Sequence, residues 1–307
     1  MSDFVLRTKN VSKVYKNHKA LDKVNLTVKK GDIYGFIGQN GAGKSTLLRL
    51  VTGLSFPTDG QIEIFGQNSN NHLNQAQKRI GAIIENPALF PEMTARQNLE
   101  VHRCQKGIPG KSCIDEALEL VELKNTGKKK VKNFSLGMKQ RLGLAMAILS
   151  DPEFLILDEP TNGLDPIGIV ELRDLIKKLN VEKGLTVLIS SHILSELYQL
   201  ATRYGIIHNG QLIEELTLEE LDMKCQQHLK IKVDNPKKAV VLIEKSLINA
   251  NYEVLSDGYI HLFNYLNEYK KVSKLLSDND LIIEHFSQSG ESLESYFSKL
   301  IGGETHV

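Results

Sequence analysis

Eight consecutive residues, Gly38-Gln39-Asn40-Gly41-Ala42-Gly43-Lys44-Ser45, constrain this chain more than any other segment. They satisfy GxxxxGK[ST] in full, and their flanks agree with it. The apolar run Ile33–Ile37 ends just before them. Leu47, Leu48, Leu50 and Val51 then form an apolar helical stripe that Gly53 can close in a left-handed cap. A strand must therefore turn sharply into a helix. Glycines at 38, 41 and 43 let the backbone curl until successive N–H groups point at one spot, where the helix N-terminus adds its positive dipole end. That spot suits phosphate. Lys44 can pair with the β- and γ-phosphates, and the Ser45 hydroxyl can ligate Mg²⁺. With Gln39, Asn40, Ala42 and Thr46 completing the cradle, the chain reads as a binder of nucleoside triphosphate.

A second element supports this reading. Phe154-Leu155-Ile156-Leu157 is followed by Asp158-Glu159, so an apolar strand delivers two carboxylates to one sheet edge. Asp158 is the candidate for the Mg²⁺ shell, and Glu159 for orienting or deprotonating an attacking water. Two acids after a strand are ordinary by themselves. Behind a complete phosphate loop they form a catalytic pair.

The remainder sorts by periodicity. Residues 4–30 and 61–65 alternate apolar and polar, as half-buried antiparallel strands do, whereas Ile33–Ile37, Phe154–Leu157 and Thr186–Ile189 are continuous apolar runs, expected where both faces are covered. Ile169, Leu172, Ile176 and Leu179 mark one helical stripe after Pro166, and residues 90–150 look mainly helical. The order predicts an α/β fold: a mostly parallel sheet with an antiparallel β subdomain and a helical subdomain. Beyond about residue 222 the pattern restarts, with a strand at 229–233, a helix at 236–250 and two strands within 252–263 about the Asp257–Gly258 turn. A helix at 266–277, a strand at 281–286 and a last helix at 291–301 follow. The order βαββαβ is the split βαβ, ferredoxin-like pattern and predicts a small C-terminal α+β domain. The expected domains are 1–222 and 223–307.

Charge and composition narrow the function. Lys and Arg number 38 against 37 Asp and Glu, so no broad basic surface for nucleic acid is indicated. The longest apolar run, Leu144–Leu149, falls far short of the roughly 20 residues of a bilayer span, and the first residues lack a signal-peptide core. A cytoplasmic location is expected, and the chain cannot itself be a channel. Cys104, Cys113 and Cys225 lack metal-site spacing and read as buried or half-buried free thiols. Lys128, Lys129, Lys130 and Lys132 read as a solvated loop, the alternative being contact with anionic lipid or a partner.

From about residue 3 to 220 the sequence resembles the ATP-binding subunits of ABC transporters. Phe134-Ser135-Leu136-Gly137-Met138-Lys139-Gln140-Arg141 stands where that family has its LSGGQ signature, and Asn162-Gly163-Leu164-Asp165 matches the loop after the second carboxylate. His192 ends the Thr186–Ser191 run as the family's switch histidine does, and Tyr15 matches the aromatic that stacks on adenine. The resemblance implies ATP and Mg²⁺ as ligands, with Ser135 and Gly137 reaching the γ-phosphate held by a second ATP-binding subunit. It also implies an integral membrane permease as partner, and hence a place at the cytoplasmic face of the membrane.

Two departures are informative. Leu136 replaces a glycine and Met138 a glutamine in the signature, while Glu85, in Ile83-Ile84-Glu85-Asn86-Pro87, occupies the place of a glutamine. A carboxylate there strengthens Mg²⁺ ligation but crowds the γ-phosphate. Together with FSLGMKQR and the tail Glu291-Ser292-Leu293-Glu294-Ser295-Tyr296-Phe297, Glu85 is similar to the ATPases of exporters conferring bacitracin resistance or lantibiotic self-protection. The alternatives are an exporter of an unrelated substrate and a non-transport ABC ATPase. Only a short segment separates Glu85 from Phe134, leaving no room for the long coiled coil of the DNA-maintenance type. One phosphate loop, not two, argues against the ribosomal type. A regulatory module that never hydrolyses ATP is disfavoured by Glu159 and His192 together.

Overall fold

Alternation dictates the first sheet. β1 (Phe4–Tyr15) and β2 (His18–Lys29) pair antiparallel, with Val11 beside Val24, and bury Leu6, Val11, Leu21, Val24, Leu26 and Val28. β4 (Asp59–Ile64) joins the other edge of β1 and carries β5 (Gln67–Asn68), giving the order β2-β1-β4-β5. The computed structural model describes residues 3–68, 76–225, 227–290 and 292–302. It divides into two units, Met1–Leu218 and Glu219–Val307.

The continuous apolar runs build the second sheet. β3 (Ile33–Ile37), β7 (Phe154–Asp158) and β8 (Thr186–Ser191) are buried at every residue. With β6 (Ile80–Ile83), β9 (Arg203–His208) and β10 (Gln211–Thr217) they form the order β10-β9-β3-β8-β7-β6, parallel except for the β10 edge. Parallel strands place all their C-terminal ends at one edge, so the segments after β3, β6, β7 and β8 converge there. That convergence makes the site.

Helices connect these strands. α1 (Lys44–Val51) follows β3 and is closed by Gly53 at φ 76, as its sequence suggested. α2 (Ala95–Lys106), α3 (Ser112–Leu120) and α4 (Leu136–Ile148) form the helical region, and Thr94 opens α2 with a capping box. α5 (Pro166–Lys183) buries Leu172, Ile176 and Leu179 and ends at Gly184; α6 (Leu194–Tyr198) and α7 (Leu218–Cys225) are short. Cys104 corrects the expectation for the thiols. It is exposed, on the polar face of α2 beside Glu100 and Arg103, while Cys113 and Cys225 are half-buried.

The C-terminal unit contains β11 (His228–Val233), α8 (Pro236–Ser246), β12 (Tyr252–Val254), β13 (Ile260–Leu262), α9 (Tyr269–Ser277), β14 (Ile283–Ser289) and α10 (Leu293–Leu300). The order β12-β13-β11-β14, antiparallel throughout, is the split βαβ arrangement read from the sequence. Leu229, Ile231, Ile260 and Leu262 from the sheet meet Ala239, Ile243, Val272 and Leu276 from α8 and α9 in one core. Helix α8 stops at Ser246, short of residue 250, because Leu247 takes extended dihedrals and buries its side chain in that core. Of the tail segment, Glu291 lies outside the described residues.

Candidate active site

The phosphate loop needs its glycines for space as well as for turning. Gly43, at φ 111, caps α1, and a Cβ there would stand 2.6 Å from the Ala20 carbonyl oxygen. A Cβ on Gly38 would stand 2.5 Å from the Ile207 carbonyl oxygen. The loop is therefore clamped between β2 and the end of β9, and its amides face a pocket of about 280 Å³. Tyr15, His18, Ala20, Asn40, Gly41, Gly43, Lys44, Ser45, Thr46 and Glu159 line it.

Lys44 is almost fully buried, which an ammonium tolerates only with partners. Its Nζ donates to the carbonyls of Gly38 (2.6 Å) and Gln39 (3.2 Å) and pairs with Glu159 Oε1 at 3.1 Å. Glu159 follows β7 at φ 45, and its Oε2 lies 3.0 Å from His192 Nδ1. One carboxylate thus bridges the loop lysine and the histidine beyond β8. Ser190 ties the two strand ends together: its hydroxyl donates to Asp158 Oδ1 (2.6 Å) and accepts from the Glu159 amide (2.9 Å). Ser45, Asp158 and Glu85 offer only oxygen donors, a set that fits Mg²⁺ better than a soft metal.

Tyr15, 43 % exposed, lines the pocket and carries Lys13 Nζ 4.9 Å from its ring centroid. Of the other residues read as site residues, Gly38, Gln39, Ala42, Glu85, Ser135, Gly137, Asp158, Asp165 and His192 are not among the pocket's walls. Ser135 caps α4 by accepting from the Met138 amide (3.2 Å), with Gly137 in the first turn of that helix. Leu136 is accommodated because it lies over Gly163, where a Cβ would come within 3.1 Å of its Cδ2. Asp165 caps α5 by accepting from the Gly168 amide (3.2 Å). Glu85 follows β6 at φ 62, and its carboxylate pairs with Arg49 of α1. Sequence reasoning missed His18, Ser190 and Arg49. It also missed Glu196, which accepts from Thr161 (2.7 Å) and Ser191 (3.4 Å) behind His192. The signal for Ser190 was present as a polar residue ending an otherwise apolar strand.

A larger concavity of about 590 Å³ lies beside the Glu85 loop, lined by Leu54, Ile84, Pro87, Phe90, His102 and Met146 among others. Burial, then Lys106, hold the His102 imidazole below its ordinary pKa, against a hydrogen bond to the Met146 backbone.

Comparison with known proteins bears on the family and the fold. The family model described as ABC transporter matches residues 21–162. The bacitracin transport ATP-binding protein BcrA of Bacillus licheniformis is 48% identical over 301 residues, covering 98% of each chain. The chain belongs to the ABC transporter ATP-binding subunits. It is an ATPase subunit of a transporter, with the α/β fold of that family. The lantibiotic transport ATP-binding protein SrtF of Streptococcus pyogenes is 45% identical over 211 residues, 69% of this chain and 90% of that one. A solved dimeric ATP-binding cassette, MJ0796, in a post-hydrolysis state with ADP and Pi, superposes with a TM-score of 0.63 at 29% identity, covering 69% of this chain and 98% of that one. No helix among the described residues is long and apolar enough to cross a membrane.

Proposed function

We propose that two copies of this ABC ATPase, or one copy and a related subunit, sandwich two ATP molecules and drive a separate membrane permease that exports a peptide antibiotic of the bacitracin type. The observation that carries the reading is Glu159, held between Lys44 and His192 at the mouth of the phosphate loop. ATP binding would draw Lys44 onto the phosphates and free the Glu159 carboxylate to orient and deprotonate the attacking water. His192 keeps that carboxylate aimed and contacts the γ-phosphate. Tyr15 stacks on adenine, and Ser135 and Gly137 of the second subunit, with the N-terminus of their helix, complete the γ-phosphate shell. Ser45, Asp158 and Glu85 would hold Mg²⁺, which draws charge off the phosphates when bound.

The groove beside Glu85 would take an apolar segment of the permease, with the ATPase at the cytoplasmic face of the membrane. Residues beyond about 222 serve dimer contact or regulation; SrtF, 90% of whose length aligns with only 69% of this chain, supports a cassette that works without the whole of it. The bacitracin-type substrate is supported by the relatives' transport roles and by the Glu85 and FSLGM departures. Expression with the adjacent membrane-protein gene in a bacitracin-sensitive host tests it. Raised resistance that disappears with Glu159→Gln is expected, and unchanged sensitivity with an active ATPase would reject this substrate.

A further inference from the structure

Two neighbouring strands of the parallel sheet end alike. β6 and β7 pair with Ile83 beside Leu157, and each is followed by a glutamate in the left-handed region, Glu85 at φ 62 and Glu159 at φ 45. A side chain pays strain there, so both turns are built, not incidental. Their cations come from one helix. Glu159 takes Lys44, the first residue of α1, and Glu85 takes Arg49, in the last turn of that helix. The helix that opens on the phosphates thus supplies a counter-charge to each carboxylate closing the adjacent strands.

We propose that Arg49 is a positioning residue of the ATP site, neutralising Glu85 and engaging Oε1 so that Oε2 remains for the metal side. This inference rests on the reading that Lys44 and Glu85 serve bound Mg-ATP. Its reason is charge. Glu85 adds a negative charge at the sheet edge that already carries Asp158 and Glu159 and, on that reading, faces the triphosphate. The Arg49–Glu85 pair is neutral again, so a hard anionic oxygen is gained without net repulsion. A guanidinium suits the task because it stays charged and its planar fork fixes a direction. The two side chains are 40% and 62% exposed, so the pair contributes little to folding, and the ATP-binding test reads its electrostatic part.

The test titrates a fluorescent ATP analogue into the full chain, once with EDTA and once with Mg²⁺. Arg49→Gln leaves Glu85 uncompensated, and affinity in EDTA should fall about three- to tenfold, with a smaller loss in Mg²⁺, which screens the carboxylate. Arg49→Lys should keep the charge and most of the affinity. Arg49→Gln/Glu85→Gln should recover parental affinity in EDTA, a recovery that a folding defect could not produce. The proposal is overturned if Arg49→Gln binds as the parent does, if its loss is equal with and without Mg²⁺, or if the loss persists in the double variant. Binding that survives Lys44→Ala would instead defeat the ATP-site reading itself, whatever Arg49 does.

Discussion

The units Met1–Leu218 and Glu219–Val307 use the same materials, a sheet with helices laid on it, but spend their interiors differently. Among the described residues, the buried polar and charged side chains, Lys44, Asp158 and Ser190 included, fall in the first unit. The core of the second is apolar, with Tyr252, Tyr265 and Phe286 packed against it, and its charged residues stay outside that core, as half-buried Lys230 does over the Tyr259 ring. Burying an ion costs several kcal/mol unless partners are supplied, as Gly38, Gln39 and Glu159 supply them to Lys44. A chain accepts that cost where it does chemistry. The second unit needs only area removed from water to fold.

The comparison breaks most visibly at Glu159. Glu159→Gln should lower ATP turnover by about 10²–10⁴-fold while ATP binding persists and the ATP-bound dimer accumulates. Turnover at the parental rate would remove Glu159 from the role of base. The mirror experiment strikes the other unit: Ile243→Ala, in the middle of the second core, should cost about 2–5 kcal/mol there. Calorimetry should find one transition lowered and ATP affinity unchanged within about twofold. A matching loss of ATP affinity would mean that the two units do not behave separately.

A smaller effect separates strain from collision. Gly43 and Gly258 both have positive φ, 111 and 85, but a Cβ at Gly43 meets the Ala20 carbonyl oxygen at 2.6 Å, whereas at Gly258 the nearest atom is 3.9 Å away. Gly43→Ala should cost on the order of 1–3 kcal/mol and weaken ATP binding; Gly258→Ala should cost less and leave binding alone. Equal melting shifts for both would show that backbone strain alone governs the phosphate loop.

What the sequence revealed follows the same division. The glycines at 38, 41 and 43, Lys44 and the Asp158–Glu159 pair were legible because phosphate chemistry dictates residue type and spacing together. Period-two and continuous apolar runs made both sheets legible, since burial on one face or two leaves different texts. Arg49 was not legible. It lies far from Glu85 along the chain, on a helix where arginine is an ordinary surface residue, and only the convergence of α1 with the end of β6 joins them. Ser135 and Asp165 read from the sequence as ligand-side residues; in the structure each caps a helix, a structural use that the same residue types serve throughout proteins.

The smallest expected effect concerns two histidines, one in each unit. His261, stacked on His228 with ring centroids 3.9 Å apart, is held below its ordinary pKa by burial, then by His228 and Lys230, against Glu253 and Asp257. His102 is lowered in the same direction, mainly by burial. A folded pKa below the unfolded value means that stability is complete above about pH 6.5, where both states hold neutral imidazole. As pH falls below that value the unfolded chain takes up the proton first, and stability declines until the folded pKa is passed. Melting temperatures should therefore drop between pH 7 and pH 5.5 in both units. His261→Gln should flatten the profile of the second transition alone, and His102→Gln that of the first. If His261→Gln leaves the slope of the second transition unchanged, the stacked pair does not set its acid sensitivity, and other groups in that unit must.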